Sequence, residues 1–266
     1  MTIAICQLPD GLAPDSPSWA RFVRRVERLR PDLIVLNELP FGPWTAREPT
    51  FDSNLAEVSI DAHQASLAAL CALPSAVISS RPVRHRNRLA NEAFLLADGV
   101  YQVIHHKQYF PQEPGFFEGA WFSAGRPGFD AIEHNGVRFG VLLCTELMFN
   151  EWARHYRRQG AHVIAVPRAS GTSLGFWHAA ARMAAFVSGC YVVSSNRISP
   201  HGMGDPCFGG GGFVYSPTGE LLQETSEESP FVAVEIDVDL VRRAQSHYPC
   251  CVPELGENSL AASHST

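Results

Sequence analysis

The feature that most limits the folds open to this chain is a short apolar run at residues 32–37, Asp-Leu-Ile-Val-Leu-Asn, set between two longer amphipathic stretches. Its apolar part is too short for a helix and half β-branched, which fits a buried strand. Before it, residues 2–8 read as an opening strand. Residues 16–30 read as a helix with an inward stripe of Phe22, Val23, Val26 and Leu29. Pro31 breaks that helix. After the run come a loop at 41–54, dense in proline and aromatic residues, and a second helix at 55–73. This β-α-β-α order predicts an α/β fold.

The alternation continues. Residues 75–80 form a strand followed by a basic turn at 81–88, and strands 91–97 and 100–106 are joined by Asp98-Gly99, a dipeptide suited to tight hairpins. Residues 107–128 show no periodicity and many aromatic side chains, and a loop of that length inside a compact domain is usually functional. Strands 129–133 and 137–143 flank Asn135-Gly136; a helix at 152–160, a strand at 161–166, an alanine-rich helix at 176–188 and a strand at 191–195 follow. That alanine-rich helix is apolar nearly all round, so it packs against the sheet or against a second subunit. Segments 213–215, 220–224 and 231–236 close a last antiparallel set. With no break in the alternation, we expect one domain over residues 1–252 and a polar tail over 253–266.

Charge and cysteine usage exclude several function classes. A net charge of −6 and a pI near 6.0 give no general attraction for polyphosphate, so nucleic acid is not an expected partner. The arginines at 21, 24, 25 and 28 lie on the outer face of the first helix and read as a solvated face. The four glycines at 209–212 lack the Gly-Lys-Ser/Thr of a phosphate loop. Without a basic leader or a bilayer-length apolar run, we expect a cytoplasmic protein with no membrane contact. The seven cysteines are odd in number and lack C-x-x-C spacing, so they read as reduced thiols and not as a disulfide frame or a zinc site. Only 18% of residues are charged, which leaves room for a subunit interface.

Three polar residues share one context: Glu38, Lys107 and Cys144 each follow an apolar strand. Ligands of open α/β sheets bind at the carboxyl ends of strands, so the three can meet in one crevice. Cys144 lies within residues 136–151 at an expected strand-to-helix turn, where free backbone N–H groups can hold a developing anion. Singly, a buried cysteine, a helix-capping glutamate or a surface lysine would be unremarkable. Together they supply a nucleophile, a base and a cation.

On these residues the chain resembles the nitrilase superfamily, the carbon-nitrogen hydrolases. The matching pieces are Pro31-Asp32-Leu33-Ile34-Val35-Leu36-Asn37-Glu38, His106-Lys107 leading to Phe116-Phe117-Glu118, and Gly140-Val141-Leu142-Leu143-Cys144-Thr145-Glu146. Supporting motifs are the stretch from Gly189 to Arg197, Gly210-Gly211-Gly212-Phe213 and Ser216-Pro217-Thr218-Gly219-Glu220. The resemblance implies a four-layer α-β-β-α sandwich that dimerises through the helices following Cys144 and Arg168. It also implies a Glu-Lys-Cys triad with no metal or organic cofactor. An auxiliary glutamate of the family falls at Glu118, with Glu113 the nearby competitor.

An unassisted thiol is only about 3% ionised at pH 7 and needs a base or a cation. Glu38 is expected to take the Cys144 proton, Lys107 and the Thr145 N–H to hold the oxyanion, and Glu118 to position the substrate nitrogen or Lys107. Glu146 is expected to orient the turn. The substrate is expected to be a small amide or N-carbamoyl compound in preference to a nitrile, since Thr145 stands where long nitrilases carry Trp. Leu147-Met148 replaces arginines that clamp a carboxylate in relatives cleaving N-carbamoyl amino acids. Arg168 could take over that contact or make a subunit salt bridge. Trp44, Phe116, Phe117 and Trp121 could line an acyl pocket or belong to the core. Two other classes stay open, a Cys-His thiol hydrolase and a non-catalytic binding protein on the same fold.

Overall fold

The computed structural model describes residues 1–126 and 128–253; the expected tail beyond 253 lies outside them. In chain order its elements are β1 (Thr2–Pro9), α1 (Pro17–Leu29), β2 (Leu33–Val35), α2 (Ser53–Cys71), β3 (Ala76–His85), β4 (Arg88–Ala97), β5 (Val100–His106), α3 (Glu118–Trp121), β6 (Ile132–His134), β7 (Val137–Val141), α4 (Asn150–Arg158), β8 (Val163–Arg168), α5 (Leu174–Ser188), β9 (Tyr191–Ile198), β10 (Phe213–Tyr215), β11 (Leu221–Glu224), β12 (Phe231–Glu235) and α6 (Val238–Gln245).

Local chemistry sets the element ends. Ser16 caps α1 by accepting from Trp19 N–H, with Pro17 in the first turn where no N–H is needed. Asp52 caps α2 through the N–H groups of Asn54 and Leu55. The basic stretch at 81–88 is not a turn as expected. β3 and β4 continue through it, pairing Arg81 with Glu92 and His85 with Arg88, and the chain reverses at 86–87. Charged side chains on this end of the hairpin hid its strand character.

The strands hydrogen-bond in the order β5-β4-β3-β2-β1-β9-β8-β7-β6. β1 is the hinge of this path. Ile3 to Ile5 pair with β2, and Gln7 to Pro9 pair with β9, both parallel. The path therefore passes from one sheet to the other within a single strand. Alternate side chains of a strand point to opposite faces. Ile3, Ile5, Leu33 and Val35 accordingly pack with Val137, Phe139, Val163 and Ala165 between the two sheets. Ala4, Cys6, Ile34 and Leu36 pack instead with Phe22, Val26 and Leu70 beneath α1 and α2. Leu142, Ile164, Val166 and Val192 pack with Tyr156, Ala181 and Ala184 beneath α4 and α5. The layers run helix, sheet, sheet, helix, and each fully buried aliphatic side chain contributes about 1.5–3 kcal/mol of transfer free energy.

Gly140 shows how tightly the outer layer closes. The Tyr156 ring lies where a Cβ would be, and its hydroxyl donates to Val141 O at 2.7 Å. The parallel strands β2, β7 and β8 all end on one side, and the segments bearing Glu38, Cys144 and Arg168 leave from there.

Candidate active site

Glu38 stands three residues beyond β2, where its main chain is held from both sides. Its N–H donates to Arg168 O at 3.1 Å, and its carbonyl accepts from Arg197 Nε at 3.2 Å. Leu39 next to it has a φ of 45°, in the left-handed region, with its N–H bonded to Ser80 Oγ at 3.0 Å. Glu38 Oε1 then accepts from Asn91 Nδ2 at 2.8 Å and from Lys107 Nζ at 2.8 Å. Asn91 also takes Lys107 N–H on its carbonyl at 2.9 Å, so the β4–β5 hairpin delivers both groups to the carboxylate. Lys107 Nζ donates again, to Glu118 Oε2 at 2.6 Å.

Cys144 opens a short 3-10 turn, Cys144–Met148, and α4 starts only at Asn150. The expected direct strand-to-helix turn is thus a two-step entry. Cys144 itself has a φ of 49°. A side chain held there costs on the order of 1–3 kcal/mol of strain, which the surrounding packing must offset. The Thr145 N–H sits second in this turn, where the turn's own ladder supplies it no acceptor.

The site is closed to bulk solvent: Glu38, Lys107 and Glu118 are wholly buried and Cys144 is 3% exposed. Two carboxylates and one ammonium leave one uncompensated negative charge there, so one carboxyl must hold its proton more tightly. Burial, opposed by Lys107 and reinforced by Glu38, pushes Glu118 up to about 8. Burial works against the Lys107 charge, but the Glu118 and Glu38 carboxylates outweigh it and hold its pKa above the ordinary lysine value. Burial and the Glu38 carboxylate raise the Cys144 thiol above its ordinary range, with Lys107 pulling the other way. The resting sulfur is a thiol, and it needs a base when it attacks. Glu38 Oε2 and Glu118 Oε1 are buried and have no hydrogen-bond partner among the described residues, so each is a polar atom still open to a bound molecule.

Glu146 orients the turn as expected. It accepts from Leu143 N–H at 2.8 Å, from Gln108 N–H at 2.7 Å and from His105 Nε2 at 2.9 and 3.0 Å. Glu113 is exposed in a turn facing Phe116, so Glu118 is the glutamate that reaches Lys107. Arg168 is fully buried and spends its guanidinium on Ser194 Oγ at 2.7 Å, Ser170 Oγ at 3.1 Å and Gly211 O at 2.6 Å, over the ring of Phe213. These bonds tie β8 to β9 and to the glycine loop. Trp44 is also framework. Its indole donates to Gly115 O at 2.9 Å, and its ring packs on Phe116 and Phe208. Phe117 is half-buried, with its N–H on Ala46 O at 2.7 Å. Sequence reasoning missed Asn91; an amide and a carboxylate, Asn91-Glu92, ahead of the apolar run 93–97 were the available signal. Among the described residues no three candidate metal ligands cluster, and no helix is long and apolar enough to cross a membrane.

Known proteins resemble this chain in sequence or in fold. An N-carbamoylputrescine amidase of Arabidopsis thaliana is 29% identical over 185 residues, 64% of this chain and 61% of that enzyme, so the chain spans less than two thirds of that relative's length. An (R)-stereoselective amidase of a Pseudomonas species is 28% identical over 82% of this chain and 77% of its own. Among solved structures, a carbon-nitrogen hydrolase from Helicobacter pylori G27 superposes with a TM-score of 0.80 at 21% identity, covering 94% of each chain. An amidase from Nesterenkonia sp. does so with a TM-score of 0.76 at 20% identity, covering 99% of this chain and 96% of its own. The carbon-nitrogen hydrolase family model matches residues 2–246, and the chain belongs to that family.

Proposed function

We propose that this protein is a thiol hydrolase that cleaves a non-peptide carbon-nitrogen bond, in an amide or an N-carbamoyl group, of a small molecule. The observation that carries the reading is the Lys107 ammonium bonded to both Glu38 and Glu118 in the electrostatic reach of Cys144. Glu38 takes the thiol proton as the sulfur attacks the carbonyl carbon, and Lys107 with the Thr145 N–H holds the oxyanion. The proton passes to the leaving nitrogen, the carbon-nitrogen bond breaks, and ammonia or an amine departs. A thioester remains on Cys144. Glu38 then takes a proton from water, hydroxide adds to the thioester carbon, and the proton returns to the departing sulfur.

Thr145, at the position where long nitrilases carry Trp, supports an amide or carbamoyl group over a nitrile. Amide and carbamoyl substrates are also the ones named for the similar enzymes. Ammonia release from a panel of small amides, N-carbamoyl compounds and nitriles tests the reading, with Cys144→Ala beside the wild type. Amine release from N-substituted amides is read in parallel; ammonia or amine release that persists in the variant, or neither from any compound, would overturn the reading, and release from nitriles alone would move the class.

The reading extends to assembly and location. The outer face of α5 exposes Phe176, Met183 and Phe186, each more than 40% exposed, and this supports a homodimer built on that helix. Free cysteines throughout the described residues support a reducing compartment, the cytoplasm.

A further inference from the structure

His105 and Glu146 form a contact outside the proposed chemistry, with both side chains wholly buried. The ring of His105 meets an acceptor at each nitrogen. Nδ1 lies 2.5 Å from Gly128 O, and Nε2 lies 2.9 and 3.0 Å from the two oxygens of Glu146. A carbonyl oxygen can only accept, so Nδ1 carries hydrogen. The same holds at Nε2 where Glu146 is a carboxylate, the form its other partners favour: each oxygen also accepts a main-chain N–H, from Gln108 at 2.7 Å and from Leu143 at 2.8 Å. A proton on either oxygen would weaken its acceptance of one of these N–H groups, at a carboxyl that is wholly buried.

The two N–H groups are not arbitrary. Gln108 follows Lys107, and Leu143 precedes Cys144. One carboxylate therefore gathers the chain beside the cation and the chain beside the nucleophile, and the imidazole neutralises it. Gln108 and Glu146 are 38 residues apart, so the link is a tertiary one, and Tyr109 adds to it by stacking on Phe149 and accepting from Trp152 Nε1 at 2.9 Å.

We propose that His105 and Glu146 are a buried imidazolium–carboxylate pair that positions Lys107 against Cys144. They are positioning residues: neither would touch substrate. Loss of the pair would let the Lys107 segment and the Cys144 turn drift apart, with the Lys107–Glu38–Glu118 contacts intact. The kinetic consequence rests on the hydrolase reading; the protonation state does not.

The test has two arms. In protein labelled with 15N-histidine, at neutral pH, the His105 signal, assigned by its loss in His105→Gln, should show both ring nitrogens bearing hydrogen. A single protonated nitrogen would overturn the pair, whether or not the protein is a hydrolase. In the kinetic arm, His105→Gln and Glu146→Gln should each lower kcat by about tenfold or more with KM little changed, as expected for misplaced reacting groups. The double variant should be no slower than the slower single one. Glu146→Asp, which keeps the charge, should recover part of the loss. Wild-type kcat in folded single variants would overturn the positioning role, and losses that multiply in the double variant would overturn the coupling.

Discussion

Lys107 Nζ donates to Glu38 Oε1 at 2.8 Å although the residues are 69 positions apart and neither side chain is exposed to solvent. Such a contact is costly to build, because both charges lose their hydration, and costlier to break one partner at a time. It holds because β2 and β5 leave their sheet at the same end, with Asn91 and Glu118 supplying the remaining hydrogen bonds.

Removing only the cation should expose that cost. Lys107→Met leaves two carboxyls facing each other in a dry site and should lower the unfolding free energy by about 3–5 kcal/mol. Urea denaturation at neutral pH measures it. Adding Glu118→Gln should restore part of the loss, because one of the two carboxyls is then gone. Unchanged stability in Lys107→Met would contradict the buried network.

Glu118 should also make stability depend on pH. Burial raises its carboxyl from the ordinary 4.5 to about 8 in the fold. The folded chain then keeps a proton that the unfolded chain releases, so this contribution is fully present below about 4.5 and is lost as pH rises through about 8. Glu118→Gln removes the titrating group. The wild type should lose stability relative to this variant across that interval, and a flat difference between the two unfolding curves would refute the assignment.

Arg197 holds the loop that presents Glu38. Its guanidinium reaches the carbonyls of Glu38, Leu39 and Gly42 and the Asp10 carboxylate, beneath Trp44 and Phe208. A lysine has its donors on one nitrogen and cannot span four acceptors. Arg197→Lys should therefore cost about 3 kcal/mol or more by leaving buried acceptors unmatched. Turnover should fall with it. Thermal unfolding and ammonia release read the two effects, and a wild-type melting temperature would count against this role.

The outer face of α5 predicts the assembly. Met183→Glu places a charge among Phe176 and Phe186 and, in a homodimer built there, should convert the protein to a monomer of unchanged secondary structure. Light scattering during gel filtration decides this. A wild type that is already monomeric at micromolar concentration would remove the α5 interface.

Sequence patterning carried the outline of the fold because side-chain period is a local property. The run Leu33 to Leu36 and the stripe of Phe22 and Val26 name a strand and a helix wherever they occur, although Leu29, expected on the same inward stripe, is 45% exposed at the end of α1. The same logic failed at 81–88, where arginines on a solvent-facing hairpin end mask a ladder that extends to His85. It also failed at the entry to α4, since a backbone angle such as that of Cys144 leaves no mark on composition.

The sequence by itself determined the α/β class and put Glu38, Lys107 and Cys144 after apolar strands, and the motif resemblance implied that the three act as one set. Each of these depends on neighbours in the chain. Only the tertiary structure decided that Glu118 and not Glu113 meets Lys107, that Asn91 shares Glu38, that Arg168 and Trp44 are bonded into the framework, and that Glu146 ties the lysine segment to the cysteine turn. These contacts join residues far apart in the chain. They depend on which strand ends the two sheets bring together, and no local pattern of hydrophobicity or charge encodes that choice.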